Sequence, residues 1–135
     1  MPADCTHVHR MEVRFRDCDL RGHVNHVVFL TYFEQCRLSY WRQETGIAEP
    51  NVTVIVAHVE CDYRAPAYFG DELDVRMNIG DIGRTSFSLV FEVVNARSGV
   101  KLADGKAVIV AYDYGVGAPV PLPAESRLLL EKSRK

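Results

Sequence analysis

Hydrophobic and polar positions follow two different periods along this chain. Over residues 9–16 they alternate, with Met11, Val13 and Phe15 on one side and Arg10, Glu12, Arg14 and Arg16 on the other. That is the pattern of a half-buried strand. A turn-rich segment follows over residues 17–25, where Arg21-Gly22 breaks the alternation. The period then lengthens. Phe29, Phe33, Cys36 and Tyr40 recur at i, i+4, i+7 and i+11, a single apolar stripe on a helix that Leu30, Leu38 and Trp41 widen. Asn25 is a suitable N-cap and Gly46 a suitable stop, so the predicted helix runs over 26–45. At about 1.5 Å per residue it is roughly 30 Å long, enough to cross a small sheet.

Glu49-Pro50-Asn51 reads as a loop, after which the period returns to two. The predicted strands are 52–63, 72–81, 84–96 and 102–113, the last with a soft start at Asp104-Gly105. Leu73, Val75, Met77 and Ile79 face one way on the second of these, and Phe87, Leu89, Phe91 and Val93 face inward on the third. Ser86 and Ser88 alternate with them and point to solvent or a subunit contact. Ile82-Gly83 and Arg97-Ser98-Gly99 are turns, and short glycine turns between closely spaced strands predict an antiparallel meander. Residues 115–123 are rich in Gly and Pro, and 125–132 predict a short helix. An amphipathic helix must bury its stripe against another layer. The expected class is therefore α+β, an antiparallel five-stranded sheet wrapped around one long central helix.

The remaining bulk properties mainly exclude. At 135 residues the chain suits one domain, with residues 1–8 as a polar lead and 115–135 as a C-terminal extension. Its net charge of −2 gives no basic field, which argues against nucleic acid. No apolar run has the length of a membrane span, and no signal-peptide pattern opens the chain. Cys5, Cys18, Cys36 and Cys61 lack the spacing of a zinc or redox motif. They are expected to be reduced thiols in a cytoplasmic protein, with no metal and no bound cofactor.

The candidate chemistry is concentrated between Phe15 and Glu34. Asp17, Asp19, Gly22, His23, Asn25 and His26 lie immediately before the helical pattern. This order sets a carboxylate beside the positive end of a helix, where backbone N–H groups can hold an anion or a polarised carbonyl. Asp17 is expected to hold the loop through backbone N–H groups or to pair with Arg14 or Arg16. Asp19 alone reads either as an acid at work or as a turn cap. His23 is a general acid, a group that orients the loop or substrate, or a structural histidine. Glu34 is either a supporting group behind the site or a solvated surface acid. Cys18 falls on the side opposite the aspartates if the segment is extended, which disfavours a Cys–His nucleophile, and Cys36 belongs to the core.

Three runs of residues resemble the hotdog-fold acyl-CoA thioesterases of the 4-hydroxybenzoyl-CoA thioesterase type. The first is Arg14-Phe15-x-Asp17-x-Asp19, then Gly22-His23-Val24-Asn25-His26 and Phe29-x-x-Tyr32-Phe33-Glu34. The second is Asp62-Tyr63-Arg64-Ala65-Pro66-Ala67, leading to Phe69-Gly70-Asp71, and the third is Ile82-Gly83-Arg84-Thr85-Ser86-Phe87. The resemblance implies that Asp19 is the catalytic carboxylate, as base or as nucleophile, and that the backbone N–H of His26 is the oxyanion donor. It places Arg84 where relatives bind coenzyme A phosphates; a solvated turn arginine is the alternative, and Arg64 carries the same two readings. Many relatives have asparagine where this chain has His26. The family further implies dimers joined edge to edge, paired into tetramers, with sites at subunit interfaces. The resemblance implies an acyl-CoA thioesterase that releases a free carboxylic acid and coenzyme A; an acyl-carrier-protein thioesterase and a non-catalytic acyl-CoA-binding protein are the alternatives.

Overall fold

Backbone hydrogen bonds join the alternating segments into one sheet, and the helical stripe packs onto it. The computed structural model describes residues 5–46 and 53–135. In chain order the elements are β1 (His7–Glu12), a 3-10 turn (Phe15–Asp17), α1 (Val28–Thr45), β2 (Val54–Tyr63), β3 (Glu72–Ile82), β4 (Ser86–Asn95), β5 (Lys101–Asp113), β6 (Ala118–Pro119) and α2 (Ala124–Ser133). The expected loop at 49–51, the first residue of the 52–63 strand and residues 1–4 of the polar lead lie outside the described residues.

The sheet is antiparallel, ordered β1-β3-β4-β5-β2, and the two-residue β6 adds a sixth strand beside β5. Only β3, β4 and β5 form the expected meander. β2 pairs with β5 on the far side rather than with β3. The reason is the connection: residues 64–71 are too long for a hairpin turn and lead the chain across to the helix start. There the Ala67 carbonyl accepts the Val24 N–H (2.8 Å), while the Arg64 N–H donates to the Leu102 carbonyl (2.8 Å).

Helix α1 buries the expected stripe of Phe29, Phe33, Cys36 and Tyr40, together with Tyr32, Arg37 and Trp41. Leu30 and Leu38 are half-buried. Phe33 stacks on Phe91 of β4 at 4.6 Å and 7°. Gly105 explains that close packing. It lies within β5 opposite Cys61, not at a strand start, and a Cβ there would collide with the Glu60 carbonyl and fall 2.7 Å from the Phe33 ring. A strand glycine at a close approach is the general pattern.

Local hydrogen bonding overrides the pattern at three places. The first strand ends at Glu12 rather than at 16, because Asp17 captures the Arg14 N–H (3.1 Å) and closes a three-residue turn. Phe15 is consequently turned outward, 79% exposed, and meets Phe69 edge-on. The helix begins at Val28, two residues later than expected, since 25–27 form a separate turn. Ser88 is buried rather than solvent-facing: its hydroxyl accepts the Asp81 N–H (2.8 Å) where β3 and β4 slip register between Ile79 and Ile82.

Candidate active site

The loop between β1 and α1 is built around Asp17. Its side chain is buried, with the Arg14 guanidinium at 2.9 Å and the Tyr32 hydroxyl donating at 2.9 Å. Burial raises the Asp17 carboxyl, but bonds from Arg14 and Tyr32 outweigh it and hold the group below its ordinary value. Its carbonyl also accepts the Asn25 N–H (3.0 Å). Both ends of the 17–25 loop are thereby pinned to one residue, as the sequence led one to expect of Asp17.

Asp19 stands at the tip of that loop. Its N–H donates to the His23 carbonyl (3.0 Å), and its carbonyl accepts the Gly22 N–H (3.0 Å). Gly22 completes the turn at φ +85°, where a side chain would be strained. The Asp19 Oδ1 accepts the Arg21 N–H (2.9 Å), while Oδ2 has no donor among the described residues. The carboxylate is therefore fixed by one oxygen and available through the other. The chain then enters the helix. The Val24 and Asn25 N–H groups donate to Ala67 and Asp17, Val27 to the Asn25 Oδ1 (3.0 Å), and Val28 to the Asn25 carbonyl (2.9 Å). The N–H of His26 alone in this stretch has no acceptor among the described residues.

Asp19 and His26 line one open cleft of about 270 Å³, with Arg21, His23, Phe29 and Tyr63 among its other walls. The His23 Nδ1 donates to the Val24 carbonyl (3.2 Å), so a neutral ring carries its proton there and leaves Nε2 as an acceptor. The site thus joins a carboxylate, an imidazole acceptor and an unengaged backbone donor at the mouth of a helix.

Several expected residues lie elsewhere. Asn25 is not the helix N-cap; it caps the preceding turn through the Val27 N–H. Glu34 is exposed, 3.8 Å from the Arg37 guanidinium, and borders a separate apolar recess with Leu30, Phe33, Val56 and Val59. Arg64 is held by Asp104 of β5 through two bonds of 3.2 Å. Arg84 projects from the β3–β4 turn, exposed, while its carbonyl accepts the Leu122 N–H (2.9 Å). Cys18 does not line that cleft; it borders an adjoining recess with Phe15, Leu20 and Phe69, which Asp19 also lines. Tyr63 was missed: it ends β2, and its hydroxyl donates to the His26 carbonyl at 2.7 Å. The one sequence signal was its place inside the Asp62–Ala67 run.

Residues 13–130 match the family model of the thioesterase-like superfamily. Among curated proteins, the chain is 27% identical over 120 residues to the acyl-CoA thioesterase YbgC of Haemophilus influenzae, covering 85% of this chain and 87% of that one. Among solved structures, a thioesterase from Thermus thermophilus, complexed with coenzyme A and zinc, is 33% identical with a TM-score of 0.82, covering 98% of this chain and 97% of that one. A 1,4-dihydroxy-2-naphthoyl-CoA thioesterase from Synechocystis shares the fold with a TM-score of 0.84 at 23% identity, over 92% of this chain and 94% of that one.

Proposed function

The chain belongs to the thioesterase-like superfamily, and on that premise we propose that it hydrolyses acyl-CoA thioesters to a free carboxylic acid and coenzyme A. The observation that carries the reading is that His26, whose N–H has no acceptor among the described residues, lines the same cleft as Asp19, which has one carboxylate oxygen unengaged. The substrate carbonyl oxygen would take that N–H, and negative charge developing there would be stabilised by the donor and by the helix start behind it. One such donor typically contributes about 3 kcal/mol to lowering the barrier.

Asp19 acts from the other side, by one of two routes. As a base it takes a proton from water as the water attacks the carbonyl carbon. As a nucleophile it forms an anhydride that water then hydrolyses. Either way the C–S bond breaks, and the thiolate of coenzyme A leaves and is protonated. His23, with its Nε2 free to accept, is suited to orient the water. Arg84, exposed on the β3–β4 turn and matching the position where some relatives bind coenzyme A phosphates, is assigned to a phosphate of coenzyme A. Arg64, already held by Asp104, would contribute only by exchanging that partner. Glu34 borders the apolar recess further along the helix from the cleft, and is assigned to the far end of the acyl group. Asn25 supports the site by holding the turn.

Two copies are proposed to join through the outer edge of β2, and two dimers to form a tetramer. No described helix is long and apolar enough to cross a membrane. The four cysteines are free, which supports a reducing, cytoplasmic setting.

Thiol release from a panel of acyl-CoA esters, beside matched acyl-carrier-protein esters, tests the reading. Turnover of at least one acyl-CoA above its carrier-protein counterpart is expected. Faster turnover of the carrier-protein esters would transfer the function to that substrate. Binding of acyl-CoA with no thiol released would make the protein a non-catalytic binder.

A further inference from the structure

We propose that Tyr63 is a positioning residue whose hydroxyl holds the His26 carbonyl, and so keeps the neighbouring His26 N–H aimed at the substrate. The proposal rests on the thioesterase reading above. On either side of His26 the backbone is already secured: Asn25 through the Asp17 carbonyl (3.0 Å), Val27 through the Asn25 Oδ1 (3.0 Å). His26 itself has one remaining handle, its carbonyl. From the helix that carbonyl receives only a long bond, from the Phe29 N–H at 3.3 Å. The short bond, 2.7 Å, comes from Tyr63.

That hydroxyl arrives from a different element, the last residue of β2, across 37 positions of sequence. Its ring, 46% exposed, is set edge-on against the His26 ring (6.0 Å, 85°) and the Phe29 ring (5.5 Å, 78°), two contacts that favour this orientation of the phenol. The result is a brace from the sheet edge to the helix mouth. A carbonyl fixed from outside the helix restrains rotation about the residue whose N–H is left free. Small misplacements of such a group are costly in catalysis. Burial, and next the neighbouring Cys61, push the phenol up to about 12, so it remains a donor wherever a carboxylate is ionised near neutral pH.

Tyr63→Phe keeps both ring contacts and removes the hydroxyl, and with it the bond to the His26 carbonyl and the interaction with the Cys61 side chain. Expected is a fall in kcat of about tenfold to a hundredfold with KM within about threefold. The backbone amide resonance of His26 should shift and its hydrogen exchange quicken, while the melting temperature changes little. Tyr114→Phe, at an exposed tyrosine beyond β5, should leave all of these unchanged. An unaltered kcat together with an unaltered His26 amide would overturn the proposal. Should the wild-type protein release no thiol, the thioesterase reading fails on its own. The His26 amide then still decides: a shift in Tyr63→Phe supports the brace, and none removes it.

Discussion

Asp17 and Asp19 are two positions apart and have opposite surroundings. Asp17 is spent on structure, buried between Arg14 and Tyr32. Asp19 lines the cleft and keeps one oxygen unengaged. The division was legible at Asp17, since Arg14 three residues before it is a natural partner. It was not legible at Asp19, whose bare sequence context fits a turn cap equally well. His26 was assigned only through the family resemblance and its spacing from Asp19; the missing acceptor became visible only with the 25–27 turn, which depends on where Asp17 and Ala67 present their carbonyls. The sequence marked Tyr63 only by its place in the Asp62–Ala67 run; its partner was not legible because it is set by strand order. Asp17 also gives a pH test. Its folded value lies below the ordinary 3.8, so its stabilising contribution is complete above that value and is lost as the pH falls through the folded one. Asp17→Asn should cost about 1–3 kcal/mol near pH 7. In denaturant titrations the wild type should lose more stability than the variant on going from about pH 5 to about pH 2. Parallel losses would remove Asp17 from the acid sensitivity.

At the scale of elements, β2 is the informative one. It pairs with β5 on one side, and its other edge has no strand partner among the described residues. Val56 and Val59 are 48% and 39% exposed along it, and a register slip marks it between Val56 and His58. An unpaired edge carrying exposed valines is a template for another chain. β2 was read correctly as a strand, but its burial does not alternate and its neighbour was not foreseen, because periodicity does not report which strand lies beside it. If β2 edges join copies of the protein, light scattering should give a multiple of the 15.2 kDa chain mass. Val59→Lys places a charge on that edge and should shift the protein toward monomer. A monomeric wild type at micromolar concentration would contradict the β2 pairing.

For the whole molecule, the α+β class, the central helix and the inward faces of β3 and β4 followed from periodicity, since burial on one side imposes it. What periodicity could not supply was the crossing of residues 64–71 from β2 to the helix start. That crossing makes the site. It brings Ala65, Pro66 and Tyr63 to the cleft of Asp19 and His26, and lets Ala67 fix Val24. A meander with β2 beside β3 would have left the helix mouth without its outer wall. The carboxylate and the free amide thus belong to one site through topology as well as through their nearness in sequence. The most direct measurement is thiol release by Asp19→Asn on the best acyl-CoA of the panel. The variant should fold with the wild-type melting profile and still bind acyl-CoA, with kcat lower by about a hundredfold or more. Turnover within about threefold of wild type would contradict the assignment of Asp19 to the chemistry.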